Sequence, residues 1–458
     1  MRTLSRVALA AMLPALLVAG CDDWLTGPKL TTDPNRPVEA DRNQLFTGVQ
    51  AQLFIQQTGE MARLTSMWTQ QMAGTDRQYA SQALYSYTED DFSTYWDDVY
   101  GGGGLIDLRL IQSLSDTAGD RVYSGIAKVL EAYIIGTAAS IFGDIPYSQA
   151  LESDTPELDE QLDVYAAMQT LLDDAIADLT SGEGSGPGAV DLIYGGDAAA
   201  WTEAAWTLKA RYYLHTAEVD ASAYGQALSA AQNGISSPAN DFETFQTDVT
   251  LESNIWYQFF RDRDSYIRAG KTLVDTLVAR GDPRLTEYFG PAGNGSIGGA
   301  AQGAAYDPVT QSPLSATRGA PGFDQPLITW EENQLIIAEA AYHTGAPGVA
   351  QGALNAVRTA NSLGSISPSG GALLHAIMIE KWIVMFQNIE AYSDYRRTCA
   401  PNLAPAGGAT SIPGRVLYAF TERNTNPNVP PPSEQPARND NDPVTPTSPT
   451  GQACLGQS

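Results

Sequence analysis

Apolar positions recur at helical spacing over most of the chain. From residue 121 onward, Val122, Ile126, Val129, Leu130, Tyr133, Ile134 and Ile141 share one face, the signature of an amphipathic helix. Gly143 stops that helix and Pro146 prevents its continuation. A second helix is predicted through Leu162, Tyr165, Met168, Leu172, Ile176 and Leu179. Further helices are expected over residues 198–219, 221–235, 329–344 and 347–361, and a last long one over 372–392. Two of these pairs share a layout. A long helix with Ala and aromatics on one face is followed by a short turn and a helix with an Ala-Leu step, Ala227-Leu228 in one and Ala353-Leu354 in the other. Small residues let neighbouring helices approach closely, which is how tetratricopeptide-like pairs pack. An irregular helical bundle is the alternative that so degenerate a repeat leaves open.

Three stretches break the period. Residues 60–104, 236–270 and 286–328 are rich in Gly, Ser, Asp, Asn, Gln and aromatics. Loops of this length in an ordered domain are usually functional, and their aromatic content argues against disorder. Residues 101–104, four consecutive glycines, read as a hinge. No Pro/Ser-rich linker divides residues 41–458, so a single domain is expected there.

The first 40 residues follow another pattern. Arg2 and Arg6 precede an apolar run from Val7 to Val18, which ends in Val18-Ala19-Gly20-Cys21. A membrane-spanning helix needs about 20 apolar residues, so this shorter run reads as a signal peptide, residues 1–20. Small residues before a Cys resemble the lipobox of bacterial lipoproteins, which makes Cys21 the lipidation site and residues 21–40 a tether. Acyl chains on Cys21 would attach a water-soluble body to a membrane. No second apolar run of spanning length is evident from the sequence.

Composition then narrows the partners. The formal net charge is −27, and losing Arg2 and Arg6 with the signal peptide takes it to −29. Such a surface repels nucleic acid and anionic lipid headgroups. With Cys21 lipidated, Cys399 and Cys454 remain as an even pair. A bridge between them would close a loop of about 55 residues, worth about 4 kcal/mol in the chain-entropy model; two unpaired thiols are the alternative.

Catalytic signatures are missing from the sequence. His215, His343 and His375 lie far apart, without zinc spacing. Residues 101–104 lack the Gly-Lys-Ser/Thr end of a phosphate loop, and no Gly-x-Ser-x-Gly elbow occurs. No cofactor, metal or catalytic residue is therefore expected. Glu89-Asp90-Asp91 reads as a solvated acidic turn, with a weak calcium site as the other possibility. Carboxylates are abundant enough that a glycosidase-like acid/base pair stays open.

Several segments, in order, resemble the SusD/RagB family of surface lipoproteins. They are Phe142-Gly143-Asp144-Ile145-Pro146-Tyr147, Trp206-Thr207-Leu208-Lys209-Ala210-Arg211, Asp282-Pro283-Arg284-Leu285, Ala338-Glu339-Ala340, Ile379-Glu380-Lys381-Trp382, Asp394-Tyr395-Arg396-Arg397-Thr398 and Ile412-Pro413-Gly414-Arg415. Near the tether, Cys21-Asp22-Asp23-Trp24-Leu25 and Asp33-Pro34-Asn35 are similar to the family as well. The resemblance implies a mainly α fold, a right-handed superhelical scaffold of tetratricopeptide-like pairs with long loop-rich insertions and little β. It implies a non-catalytic, outer-membrane, lipid-anchored protein that captures oligosaccharide or peptide for a SusC-like TonB-dependent transporter. A lipid-anchored polysaccharide hydrolase and a non-binding scaffold are the other readings.

For such capture, aromatic rings matter most. Sugar C–H faces stack on Trp and Tyr while planar polar side chains bind hydroxyls. Trp68, Tyr79, Tyr85, Tyr87 and Trp96 crowd one loop-rich stretch, and Trp256 with Arg261 forms a second candidate group. The competing expectation is that these rings fill the core beneath the loops. Lys209, Arg211, Arg396 and Arg397 are expected to pair with acids or cap loops rather than touch ligand.

Overall fold

The structure is a computed structural model that describes residues 41–443 and 446–457. The expected signal peptide, Cys21 and the tether lie outside these residues. In chain order the elements are α1 (Arg42–Thr58), α2 (Glu60–Trp68), β1 (Met72–Gly74), α3 (Arg77–Gln82), α4 (Ser93–Tyr100), α5 (Leu105–Ala118), α6 (Arg121–Phe142) and α7 (Gln161–Leu179). There follow α8 (Ala198–Thr216), α9 (Ala223–Ala231), β2 (Phe242–Glu243), α10 (Ile255–Arg263), β3 (Ile267–Ala269), α11 (Lys271–Arg280) and α12 (Arg284–Tyr288). The chain ends with β4 (Pro326–Ile328), α13 (Trp330–His343), α14 (Pro347–Ala360), α15 (Gly371–Val384), α16 (Glu390–Thr398) and α17 (Phe420–Thr425). The fold is mainly helical, as the periodicity predicts, and residues from Phe46 onward form one unit.

Helices α5 to α9 pack on their sequence neighbours, and α13, α14 and α15 continue the stack through the α9–α13 contact. Start signals are local. Asp120 Oδ1 accepts from Tyr123 N at 3.1 Å, Asp197 Oδ1 from Ala199 N at 2.9 Å, and Thr329 Oγ1 from Glu332 N at 3.1 Å. Each satisfies a backbone donor that the first turn leaves open. Buried alanines then set the spacing, among them Ala210, Ala227, Ala230, Ala231 and Ala340 where α8, α9 and α13 meet. Gly136 is required for the same reason. A Cβ there would meet the Tyr212 ring at 2.2 Å, and Tyr212 Oη donates to Ala132 O across that contact at 2.8 Å.

The family-like charged motifs form a buried ionic frame between these helices. Arg211 on α8 grips Glu332 on α13 through two hydrogen bonds of 2.6 Å. Arg397 on α16 holds Glu339 on α13 and also Asp394, which Lys381 on α15 reaches at 2.9 Å. Arg280, Arg284 and Arg358 converge on Glu380, and Arg284 also holds Asp282. His215 lies between Tyr165 Oη at 2.9 Å and Glu390 at 2.8 Å. Burial alone would raise Glu339, yet the Arg397 guanidinium outweighs it and holds the carboxyl below its ordinary value. Glu390 is held down in the same way by His215 and Arg211, against burial. Deleting one partner of such a pair strands a buried charge.

Four expectations need correction. The long non-helical stretches contain short helices, α2, α3, α4 and α10, too brief for a period to register. Two antiparallel staples tie these stretches together, with Ala73 opposite Arg268 and Phe242 opposite Ile328. The expected helix over 372–392 is two helices, broken where Gln387 takes φ 65°. Its freed carbonyls find distant partners: Gln71 Nε2 donates to Trp382 O at 2.6 Å and Tyr288 Oη to Ile383 O at 3.1 Å. The four glycines form a packed turn rather than a hinge; Gly103 N donates to Asp107 Oδ2 at 2.6 Å, and a Cβ on Gly104 would meet Asp98 O at 2.4 Å. Finally, α6 is long and apolar enough to span a membrane, but its most apolar 18-residue stretch is 94% buried inside the protein.

Candidate functional site

A cleft of about 350 Å³ opens beside the turn that follows α3. That volume lies at the lower end of the range for ligand sites. Tyr85 and Tyr87 form one wall, both half-buried. Tyr85 sits at φ 65°, which turns the chain so that the two rings stand together over Trp68, at 6.4 Å and 5.3 Å between centroids. Trp68 is held by its Nε1 donating to Gln82 O at 3.1 Å. Ala406 N donates to Tyr85 Oη at 3.0 Å, pinning that ring to the opposite segment. Burial lifts both phenols above their ordinary value, so they remain neutral donors near pH 7.

The other wall comes from the last fifth of the chain: Pro413, Arg415, Gln435, Arg438 and Gln457. The scaffold fixes it at several points. Tyr392 Oη donates to Pro413 O at 2.6 Å, and Arg396 Nη1 to Gly414 O at 3.1 Å. Gln435 Oε1 accepts from Tyr418 N at 3.0 Å. Arg438 Nη2 donates to Arg396 O at 3.1 Å and to Gln457 Oε1 at 2.9 Å. Cys399 and Cys454 are joined by a disulfide, and just beyond it Gly456 O accepts from Ile412 N at 2.8 Å. The bridge therefore holds the tail that closes the cleft.

Two stacking faces framed by planar amide and guanidinium groups suit a saccharide ring and its hydroxyls. The neighbouring cavity, about 360 Å³ beside Gln70, Lys271, Thr272 and Gln302, has no aromatic lining. Its polar groups are also already spent: Gln70 Nε2 donates to Ala404 O at 2.7 Å, and Gln302 Nε2 to Met72 O at 2.6 Å. A further hollow of about 450 Å³ lies on the helical scaffold between Leu162, Tyr213 and Val219. It offers apolar surface but no guanidinium.

The residues nominated from the sequence divide sharply. Tyr85 and Tyr87 line the cleft, and Trp68 lies buried behind them. Tyr79 is buried, accepting from Arg63 Nε at 3.0 Å and packing on Phe259. Trp96 is buried against Phe142 and Tyr418, its Nε1 donating to Glu422 at 3.3 Å. Trp256 is fully buried, and Arg261 pairs on the surface with Asp262, its own neighbour. The core reading thus holds for Tyr79, Trp96 and Trp256, because short helices bury one face of the supposed loops. Arg415, Arg438, Gln435 and Gln457 were not nominated. The available signal was Pro413-Gly414-Arg415, an arginine at a turn in a strongly acidic chain.

The acidic turn is also ordered. Glu89 pairs with Arg423, while Asp91 Oδ2 accepts from Thr88 N at 2.6 Å. Among the described residues no group of three or more His, Cys, Asp or Glu side chains could hold a metal ion.

Helix pairs carry a loop-built cleft, and comparison supplies the family. The chain belongs to the SusD-like family described as "Starch-binding associating with outer membrane", whose model matches residues 34–419. A SusD/RagB family protein from Bacteroides thetaiotaomicron is 22% identical with TM-score 0.72, covering 85% of this chain and 95% of its own. A chitin-binding SusD homologue from Flavobacterium johnsoniae is 19% identical with TM-score 0.75, covering 88% and 99%. A SusD homologue from Bacteroides fragilis is 21% identical with TM-score 0.70, covering 92% and 100%. No match was found among curated proteins.

Proposed function

We propose that this chain is a lipid-anchored, surface-displayed binding protein that captures oligosaccharide in the Tyr85–Tyr87 cleft and passes it to a SusC-like TonB-dependent transporter. The observation that carries this reading is the pair of half-buried tyrosine rings facing Arg415, Gln435 and Arg438 across about 350 Å³. Ring faces supply stacking, and the planar polar groups supply orientation. Membership of a family described by starch binding at the outer membrane supports saccharide as the cargo, as does a chitin-binding relative of the same fold. Acylation of Cys21 would attach the body to a membrane through the stretch to residue 40. The role is capture without bond cleavage.

The test uses the lipoprotein extracted in detergent from its native membrane. It is passed over immobilised chitin, starch and pectin while soluble sugar is assayed in the flow-through. Retention without released product, together with co-purification of a large β-barrel, is the expected result. Released oligosaccharide would replace capture by hydrolysis. Absence of both retention and barrel would leave only a scaffold.

A further inference from the structure

Charge in the cleft runs against charge in the chain. The protein carries a formal −27, yet among the described residues the only charged side chains lining the cleft are Arg415 and Arg438. Elsewhere the buried guanidiniums of Arg211, Arg284 and Arg397 each have a carboxylate within hydrogen-bond distance. These two do not: among the described residues neither forms an ion pair. Arg415 is only 5% exposed, and its Nε and Nη2 have no hydrogen-bond partner. Its guanidinium lies 4.4 Å over the Tyr418 ring, which stabilises the cation and leaves Nε and Nη2 unspent. Arg438 spends Nη2 on Arg396 O and Gln457, and its Nε is likewise unpartnered. The carboxylates whose fields reach this corner are Asp144 beside Arg415, with Asp440 near Asp144, and Asp442 beside Arg438. None of them lines the cleft.

A buried guanidinium with idle donors is expensive unless something anionic completes it. Resting on the capture reading above, we propose that the saccharide taken by this cleft is acidic, its carboxylate or sulfate bound by Arg415 and Arg438 while its ring stacks on Tyr87. Planar guanidinium matches either anion by paired N–H donors. The acidic remainder of the surface repels such a ligand at long range and the arginines act only at contact, screened beyond about 8–10 Å. Specificity therefore comes from the bound state, and salt dependence mixes two opposing effects. Matched neutral ligands separate them.

The experiment is calorimetric titration of the full-length lipoprotein in detergent. The ligands are oligogalacturonate and oligomannuronate, each beside its methyl ester, and sulfated galactan and chondroitin fragments, each beside its desulfated form. At least one acid is expected to bind about tenfold or more tightly than its neutral counterpart, and Arg415→Gln and Arg438→Gln to bring that charged-to-neutral ratio close to one, whatever they do to the affinity for the neutral form. A preference within the ester pairs alone assigns a carboxylate, and one within the sulfated pairs alone assigns a sulfate. Equal binding of charged and neutral forms overturns the inference and leaves capture standing. Failure of every saccharide, acidic or neutral, overturns both, as does tighter binding of an acidic peptide than of any saccharide. If Arg415→Gln lowers the melting temperature sharply, Arg438→Gln and the charged-to-neutral ratio of the unaltered protein decide the matter.

Discussion

Arginine behaves differently in the two halves of this molecule. In the helical stack Arg211, Arg284 and Arg397 are closed off by Glu332, Asp282, Glu380, Glu339 and Asp394, with few donors left for any ligand. In the cleft Arg415 and Arg438 face tyrosine rings and amides, and part of each guanidinium is idle. The same side chain is a strut where a carboxylate closes it off and the proposed recognition group where, among the described residues, none is paired with it. Most motifs that mark the family therefore describe the frame, and one of them, Ile412-Pro413-Gly414-Arg415, reaches the cleft.

The largest effect is expected in the frame. Arg397→Met leaves Glu339 and Asp394 buried with only Lys381 for company, at 4.0 Å and 2.9 Å. It should cost about 3–5 kcal/mol in urea unfolding. Adding Glu339→Leu should recover part of that loss. If the single variant unfolds at an unchanged urea midpoint, the frame is not structural. Next comes the bridge, which joins residues 55 apart. Cys399→Ser with Cys454→Ser should remove about 2–4 kcal/mol. It should also weaken saccharide binding, since the tail carrying Gln457 loses its anchor. Unchanged affinity in the reduced protein would detach the tail from the cleft.

Acid and base should separate the regions more gently. Glu339 and Glu390 titrate below 4.5 in the fold. Their contribution is present above about pH 4.5 and is lost as pH falls through the folded values. Asp241 runs the other way: burial is the main cause, with Glu243 and Glu331 adding, and its pKa is pushed up to about 7 from 3.8. Its contribution is complete below about pH 3.8 and is lost as pH rises through 7. Asp241→Asn, which keeps an acceptor for Trp330 N at 2.7 Å, should flatten the melting-temperature profile between about pH 4 and 8. It should leave the acid limb untouched. A profile as steep as before would contradict the assignment.

Much of the scaffold was legible because long helices repeat a face many times. The predicted ranges for α6, α7, α8, α13 and α14 match the observed ones to within a few residues, and Gly143 ends α6 as its place before Pro146 suggests. Between α15 and α16 the reading failed, because the break depends on Gln71 and Tyr288 capping carbonyls from 311 and 95 residues away in sequence. The cleft was half legible. Aromatic crowding pointed to the segment whose Tyr85 and Tyr87 line the cleft, but density of rings does not say which face they show. Trp68, Trp96 and Trp256 are the rings with most area to hide, and short helices of eight or nine residues hide them. The facing wall was invisible because the fold brings it from more than 300 residues downstream, where Ala406 meets Tyr85.

Ring removal in the two hollows measures the difference between cleft and scaffold most directly. Full-length protein, Tyr85→Ala/Tyr87→Ala and Tyr213→Ala are titrated calorimetrically with whichever polysaccharide fragment the native protein retains. Loss of about tenfold or more in affinity for the double variant, with Tyr213→Ala unchanged and all three melting at similar temperatures, is the predicted result. Full affinity in the double variant, or loss confined to Tyr213→Ala, would move the binding site off the cleft.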